Sequence, residues 1–283
     1  MAQLLDGKVV AAALAESLKK DVEALKAKGV TPTLGIIRLG EKGPDISYEK
    51  GATKRAEEVG AAVKNYILPE DTTQEALLKV IKEANDDKGV HGILLFRPLP
   101  KHIDDNVARA ALLPQKDMDG ITDGSMAGIY SDSNQGYAPC TAESVIKILD
   151  HYKIDPSGKK VVVLGRSTVI GKPVSMLLLK KNGTVTVCHS KTQNLPAITQ
   201  EADIVVVAMG RALSVGKESF KAGQYVVDVG VNPKPNGEKG TCGDVKFDEV
   251  EPIVAGISPV PGGVGSVTNC ILISHVVDAA KKA

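Results

Sequence analysis

The residues best suited to binding chemistry form a short loop after a strongly apolar run. The run 161–164 ends at Gly165, and a small polar loop then leads to Gly171, where a helix is expected to begin. Backbone N–H groups at such a turn, together with the positive end of the helix, can bind phosphate. The spacing is not G-x-G-x-x-G, and glycines here also fit a purely structural turn. The loop is therefore a candidate phosphate site, with Arg166 and Ser167 as its polar side chains.

The end of the next predicted strand indicates which nucleotide this loop would bind. Enzymes that use NAD often place an Asp or Glu there to bind the ribose hydroxyls. This chain has no carboxylate at that point, and Ser190 and Lys191 follow the strand instead. Together with Arg166, these residues could bind the additional phosphate of NADP, although Ser190 could equally cap a turn. The pattern favours NADP and leaves NAD open.

Composition and charge restrict the class of protein. Of the 283 residues, 43% are hydrophobic, which suffices for two domains. With 35 basic and 34 acidic residues the net charge is +1, which predicts neither a nucleic-acid nor a membrane partner. No secretory signal or membrane-length apolar run is present, and no metal-binding spacing links the cysteines Cys140, Cys188, Cys242 and Cys270. We therefore expect a soluble, cytoplasmic protein with reduced thiols and no metal site.

Alternating helical and strand patterns must position the candidate residues. The predicted helices cover residues 8–28, 45–59, 74–84, 142–151 and 266–283. The predicted strands cover residues 34–37, 62–68, 90–95, 161–164, 185–188, 204–208 and 225–229. Residues 98–139 are rich in Gly, Pro, Asp and Ser, which predicts a loop-rich segment and a candidate domain junction. Because parallel strands need crossover helices, the order predicts an α/β fold with parallel sheets.

Seven segments along the chain resemble one family, the methylenetetrahydrofolate dehydrogenase/methenyltetrahydrofolate cyclohydrolases. They are GRSTVIGKP (165–173), TVTVCHSKT (184–192), DVG (228–230), PVPGGVG (259–265), PLP (98–100), KDMDG (116–120) and PCT (139–141). The resemblance extends over essentially the whole chain. It implies oxidation of 5,10-methylenetetrahydrofolate by hydride transfer to NADP, followed in the family by hydrolysis to 10-formyltetrahydrofolate.

The resemblance also implies the domain organisation and the partners. Residues 1–140 would form an αβ folate-binding domain, on which the last helix, 268–283, would pack. Residues 141–267 would form a Rossmann-like, parallel-sheet NADP-binding domain, with the substrate cleft between the two. The partners implied are tetrahydrofolate derivatives and a second copy of the chain in a homodimer.

Carried over motif by motif, the resemblance assigns the cofactor contacts. Gly165, Arg166 and Ser167 would hold the cofactor phosphates. Ser190 would lie near the 2′-phosphate, and Val231 near the nicotinamide.

The folate contacts carry over in the same way. Tyr48 would stack on the folate and Asp119 would hydrogen-bond to the pterin, and these two are the expected catalytic residues. Pro261, Gly262 and Gly263 would line the cleft. Taken without the resemblance, Tyr48 fits an ordinary half-buried aromatic and Asp119 a turn-forming aspartate.

Two departures from the family pattern fall on the cyclohydrolase step. The family lysine four residues after Tyr48 is replaced by Ala52, and the glutamine at the end of a strand is replaced by Phe96. Lys50 and Lys54 each lie two residues from Ala52, about 200° around a helix, so neither points the same way. Water attack on the methenyl cation needs proton transfer, which a methyl group and a phenyl ring cannot provide. We therefore predict a strong dehydrogenase with weak or absent cyclohydrolase activity.

Other functions remain open at this stage. A bifunctional enzyme could use Lys50 or Lys54, and Arg97 or His102 could serve from an altered backbone. A non-catalytic nucleotide- or folate-sensing module would explain the missing lysine and glutamine, but not the presence of Tyr48 and Asp119. A dehydrogenase of hydroxy or amino acids would need a catalytic His or Lys and no folate. A pure cyclohydrolase would lack the residues for its own reaction.

Overall fold

The computed structural model describes residues 2–133 and 135–283 as an α/β fold, which confirms the predicted class. The first half of the chain contains β1 (Gln3–Leu4), α1 (Gly7–Lys26), β2 (Thr33–Leu39), α2 (Gly43–Val59), β3 (Ala62–Leu68), α3 (Gln74–Asp86), β4 (Gly92–Leu95), α4 (Asp105–Ala111), α5 (Asp123–Ser131) and α6 (Cys140–His151). The second half contains β5 (Lys160–Leu164), α7 (Gly171–Lys180), β6 (Thr184–Cys188), α8 (Leu195–Glu201), β7 (Ile204–Val207), β8 (Tyr225–Asp228), β9 (Asn232–Pro233), β10 (Thr241–Cys242), α9 (Phe247–Val250), β11 (Gly256–Ile257) and α10 (Thr268–Ala280).

The chain divides into two compact units that are each discontinuous in sequence. One unit contains residues 12–140 and 269–283, and the other contains residues 1–11 and 141–268. The predicted first domain began at residue 1, whereas residues 1–11 group by packing with the second half of the chain. The division of the chain by function stays a prediction.

In the unit of residues 12–140 and 269–283, a three-stranded parallel sheet has the order β3-β2-β4. Strand β2 is central and almost wholly buried. Helix α3 turns Leu77, Ile81 and Ala84 inward at helical spacing, so that one face joins the apolar core. Helix α2 ends at Gly60, whose φ of 82° is the left-handed conformation that glycine adopts readily at a helix end.

In the other unit, a six-stranded sheet has the order β1-β11-β8-β7-β5-β6, and its strand pairs are all parallel. From β5 the chain proceeds outward to β6 and then back to β7 on the opposite side. In open parallel sheets, ligands bind at the carboxyl ends of the strands where the order reverses in this way. The sheet topology therefore predicts a ligand site at the loops that follow β5, β6 and β7.

Residues 98–139, predicted to be loop-rich, also contain the helices α4 and α5, which the sequence pattern did not identify. Both helices are short, and side-chain caps define their first turns. Asp104 accepts hydrogen bonds from two backbone N–H groups of α4, and Thr122 accepts one from Ser125 of α5. These capping hydrogen bonds stabilise the helices. Over only seven to nine residues, the apolar spacing is too short to predict them. Among the described residues, no helix is both long and apolar enough to cross a bilayer.

Candidate active site

The loop after β5 is held so closely to its neighbours that two glycines are required. Gly165 has φ 129°, and a Cβ added there would lie 2.2 Å from the carbonyl oxygen of Ala208. A Cβ on Gly171 would lie 2.2 Å from the carbonyl oxygen of Gly165. Ser167 Oγ accepts hydrogen bonds from the N–H groups of Ile170 and Gly171, at 3.1 and 3.4 Å, where α7 begins. The loop therefore keeps a fixed path from the sheet to the helix.

Four of the predicted cofactor residues, Gly165, Arg166, Ser167 and Ser190, line one cavity of about 250 Å³. The loops after β5, β6 and β7 form its walls, and its other lining residues are Leu164, Cys188, His189, Leu195, Ala208, Met209 and Arg211. No carboxylate is among these residues, so the cavity is suited to an anionic ligand. This observation agrees with the absence of an acid after β6.

Sequence reasoning missed two basic residues of this cavity, His189 and Arg211. The Nδ1 atom of His189 accepts a hydrogen bond from the Lys191 N–H at 3.1 Å, which orders the turn after β6. Arg211 follows β7 by four residues, and its side chain is exposed. The signal was available, because carboxyl ends of adjacent parallel strands lie at the same edge of a sheet.

Val231, Pro261, Gly262 and Gly263 come together in a second cavity of about 240 Å³ in the same unit. Among the described residues, no lining residue is shared by the two cavities. Gly262 has φ 111°, and its carbonyl oxygen accepts a hydrogen bond from the Gly7 N–H at 2.9 Å. The turn thus has a fixed backbone.

Asp228, which sequence reasoning did not select, lines this second cavity and is buried. Burial raises the pKa of its carboxyl group from the usual 3.8 to about 6. Hydrogen bonds from the backbone N–H groups of Val245, Asp244 and Gly230 act in the opposite direction, and the negative charge of Asp244 adds to the rise. A raised pKa of a buried group beside a cavity marks a candidate functional region.

Asp119 lies in the other unit, in a tightly bonded segment. Its Oδ1 accepts the Cys140 N–H at 3.0 Å, and the preceding carbonyl, of Met118, accepts a hydrogen bond from His275 Nδ1 at 2.8 Å. Burial raises the pKa of Asp119, while the hydrogen bonds from Cys140 lower it. The negative charge of Asp117 raises this pKa further. The carboxyl group therefore has a fixed position and an increased tendency to keep a proton.

Tyr48 lies on α2 and packs edge-on against Phe96, with ring centroids 5.8 Å apart and ring planes at 85°. Ala52, one helical turn further, has no exposed surface. Lys50 and Lys54 are exposed to solvent. The helix thus presents a methyl group inward and directs its neighbouring lysines outward, in agreement with the geometric argument from the sequence.

The other cations suggested from the sequence have partners. Arg97 forms a two-pronged ion pair with Asp105, at 2.6 Å from Nε and 2.5 Å from Nη2. His102 contacts the carbonyl oxygen of Thr72 at 2.9 Å through Nε2. Sequence reasoning did not identify the partly buried ion pair of Arg38 and Glu49, 2.5 Å apart, which places a carboxylate on α2 three residues before Ala52.

Comparison with known proteins places the chain among enzymes of folate metabolism. The family described as tetrahydrofolate dehydrogenase/cyclohydrolase matches with its catalytic domain over residues 5–119. The NAD(P)-binding domain of the same family matches over residues 139–283. Together the two matches extend over nearly the whole chain.

Individual relatives agree with this assignment. The bifunctional protein FolD of Carboxydothermus hydrogenoformans is 48% identical, over 99% of this chain and 98% of its own length. The crystal structure of the bifunctional FolD of Campylobacter jejuni matches with a TM-score of 0.96 and 38% identity, over 100% of this chain and 99% of its own. The Trypanosoma brucei FolD, solved with NADP and an inhibitor, matches with a TM-score of 0.92 and 35% identity, over 99% and 98% of the two chains. This chain belongs to the tetrahydrofolate dehydrogenase/cyclohydrolase family.

Proposed function

We propose that this chain is an NADP-dependent 5,10-methylenetetrahydrofolate dehydrogenase whose methenyltetrahydrofolate cyclohydrolase activity is weak or absent. Membership of the family supports the dehydrogenase reaction. The second part rests on the sequence resemblance, which implies a lysine and a glutamine where this chain has Ala52 and Phe96. The observation that supports it is that Ala52 is fully buried and Phe96 packs on Tyr48.

The basic lining of the first cavity supports NADP as the dinucleotide that this chain uses. Gly165, Arg166 and Ser167 would hold its phosphates, Ser190 would contact the 2′-phosphate, and Val231 would lie toward the nicotinamide. The lining without carboxylates favours the ligand with the additional phosphate. When bound, NADP supplies the acceptor for the hydride.

The dehydrogenase reaction requires little acid–base catalysis by the protein. Loss of a hydride from the one-carbon bridge of the folate leaves a resonance-stabilised cation, and no proton has to be removed. The chain must therefore orient the substrate and exclude water. In this proposal Tyr48 stacks on the folate, Asp119 fixes the pterin through its rigidly bonded carboxyl group, and the turn 261–263 lines the substrate site.

Hydrolysis of the methenyl product, in contrast, requires acid–base catalysis. A water molecule must attack carbon, and protons must move to and from the intermediate. Ala52 and Phe96 carry no group that transfers a proton. Lys50 and Lys54 are exposed, and Arg97 is held by Asp105, so none of them replaces the missing lysine without a rearrangement.

The proposal is tested with one preparation of the purified full chain and two assays. The first measures NADP reduction with methylenetetrahydrofolate, and turnover there would exclude a non-catalytic sensor. The second follows the absorbance of methenyltetrahydrofolate in a buffer that does not catalyse its hydrolysis. We expect rapid NADP reduction together with decay at the background rate. Decay clearly accelerated by the enzyme would contradict the loss of cyclohydrolase activity, and Lys50→Ala and Lys54→Ala would then identify the responsible residue.

We also propose a homodimer in the cytoplasm. Strand β3 is an edge strand that pairs only with β2 among the described residues, which leaves its outer backbone groups available to a second copy. Ile67 of this strand keeps 43% of its surface exposed. No disulfide links the cysteines of the described residues, as is usual in a reducing compartment.

A further inference from the structure

The turn after β7 is fixed by a single buried carboxylate, that of Asp244, which has no exposed surface. Its Oδ2 accepts the N–H groups of Met209 and Gly210, at 2.6 and 3.0 Å. Its Oδ1 accepts the N–H of Arg211 at 2.7 Å and the side-chain amide of Asn232 at 2.8 Å. Four donors therefore satisfy this carboxylate, which explains how a charged group remains buried.

This arrangement determines where the backbone of Arg211 lies. Three consecutive N–H groups converge on one carboxylate, and Gly210 between them adopts φ 64°. The following residues are also held, because the Leu213 N–H donates to the carbonyl oxygen of Gly243 at 3.0 Å. An exposed turn that would otherwise be variable is thereby rigid.

The side chain of Arg211 extends from this rigid turn into the lining of the first cavity, where Arg166 and Ser190 also lie. Among the described residues, neither guanidinium group has an ion-pair or hydrogen-bond partner. Two positive charges that line one cavity without a carboxylate repel each other. A doubly charged anion between them removes that repulsion, and guanidinium groups match phosphate oxygens in charge and geometry.

We propose that Arg211 is a second specificity-determining residue for the 2′-phosphate of NADP, opposite Arg166, and that Asp244 is its positioning residue. The proposal rests on the use of NADP proposed above. It assigns the phosphate two guanidinium groups that come from loops 45 positions apart in sequence. Arg166 is presented by the loop after β5, and Arg211 by the carboxylate-held turn after β7.

The test compares two ligands that differ by the phosphate in question, 2′,5′-ADP and 5′-AMP, by calorimetric titration of the full chain at constant ionic strength. Removing one charge-assisted contact should weaken the affinity of Arg211→Ala for 2′,5′-ADP by roughly 10- to 100-fold. The affinity for 5′-AMP should change less than about twofold. Lys217→Ala is the matched control, because it removes an exposed positive charge of the same unit outside the cavity.

The outcomes separate this proposal from the one on which it rests. Equal losses for both ligands would show that Arg211 contacts the adenine or ribose, and no loss for either would show that it contacts nothing; each result overturns the proposal. In both cases a selective loss in Arg166→Ala would leave NADP use standing. A wild-type chain that does not prefer 2′,5′-ADP would instead overturn NADP use itself.

The positioning role of Asp244 needs a measurement that simple destabilisation would not affect. Asp244→Asn keeps the shape but directs an amide at N–H donors, so the turn must move. We expect it to reduce the preference for 2′,5′-ADP over 5′-AMP, and to have no further effect on that preference in the Arg211→Ala background. Additive effects of the two substitutions would show that Asp244 changes the preference independently of Arg211, and an unchanged preference in Asp244→Asn would show that it acts only on the stability of the fold; either result overturns the positioning role.

Discussion

At the residue scale, the proposed loss of hydrolysis depends on position 52 of α2. The methyl group of Ala52 has no exposed surface, and Phe96 contacts Tyr48 rather than presenting a polar group. Lysines two residues to either side project into solvent. The direction in which a side chain projects from the helix therefore matters as much as the presence of a lysine nearby, because a shift of two positions rotates the side chain by about 200°.

Restoring the two polar groups together should restore hydrolysis. We expect Ala52→Lys combined with Phe96→Gln to accelerate methenyltetrahydrofolate decay above background, whereas Phe96→Gln alone should not. Because lysine must enter a closed site, the double variant should lose about 1–3 kcal/mol of unfolding free energy. Decay measurements on protein shown to be folded by circular dichroism check this. A folded double variant without activity would show that other departures also removed the reaction.

A second residue-scale prediction concerns Arg166. Its guanidinium group lines the first cavity without an ion partner among the described residues. Arg166→Ala should raise the KM for NADP by roughly 10- to 100-fold and change the KM for NAD by much less, because only NADP offers the additional phosphate. Steady-state kinetics with both cofactors provide the check. Equal losses would refute phosphate recognition by this residue.

At the element scale, the contact between the ends of β5 and β7 leaves no room for a side chain. Gly165→Ala would place a methyl group 2.2 Å from a carbonyl oxygen of the loop after β7. Gly158 also has a positive φ, 70°, but nothing within 4 Å of an added Cβ, so it isolates the conformational effect. We expect Gly158→Ala to cost about 1 kcal/mol, and Gly165→Ala to cost about 1–3 kcal/mol more and to impair NADP binding. Denaturant titration and cofactor binding measure both, and equal effects would show that the loop yields freely.

Asp228, the last residue of β8, should make the free energy of unfolding depend on pH. Because the pKa of Asp228 is raised to about 6, the folded chain keeps a proton that the unfolded chain releases near 3.8. The stabilisation from this group is full only below about pH 3 and is lost as the pH rises through 6, a total change of about 3 kcal/mol. Because the unfolded carboxyl group is already partly ionised at pH 4, the difference in unfolding free energy between wild type and Asp228→Asn should fall by about 2 kcal/mol from pH 4 to pH 7. Asp248→Asn, an exposed carboxylate, is the control, and a constant difference would contradict the raised pKa.

At the scale of the whole molecule, the proposed dimer depends on one strand edge. Ile67→Lys places a charge on the exposed part of β3, and charged edges oppose strand pairing between copies. We expect this variant to shift the protein to a monomer by light scattering after size exclusion. Leu113→Lys is a matched control, because Leu113 has the same exposed fraction, 43%, in the same unit but not on β3. A dimer that persists in Ile67→Lys would place the interface elsewhere.

Particular elements show how much of the fold the local sequence patterns predicted. Strand β3 has the predicted bounds, and helix α2 ends at Gly60 as expected, because strand periodicity and helix-terminating glycine are local properties. Helices α4 and α5 were missed, because caps rather than apolar spacing define them. Of the expected site residues, Gly165, Arg166, Ser167 and Ser190 do line one cavity, as do Val231 and the turn 261–263. Their roles in binding remain predictions.

The sequence by itself determined the alternation of strands and helices and the glycine-flanked loop at Gly165, and it has Ala52 and Phe96 where the resemblance implies two polar residues. These are properties of single residues and of short periodic segments. Only the tertiary structure decided that Arg211 shares a cavity with Arg166, and that Asp244 holds the turn that carries it. Parallel pairing places the carboxyl ends of β5 and β7 side by side. Residues distant in sequence therefore come together there, and no local sequence pattern predicts this contact.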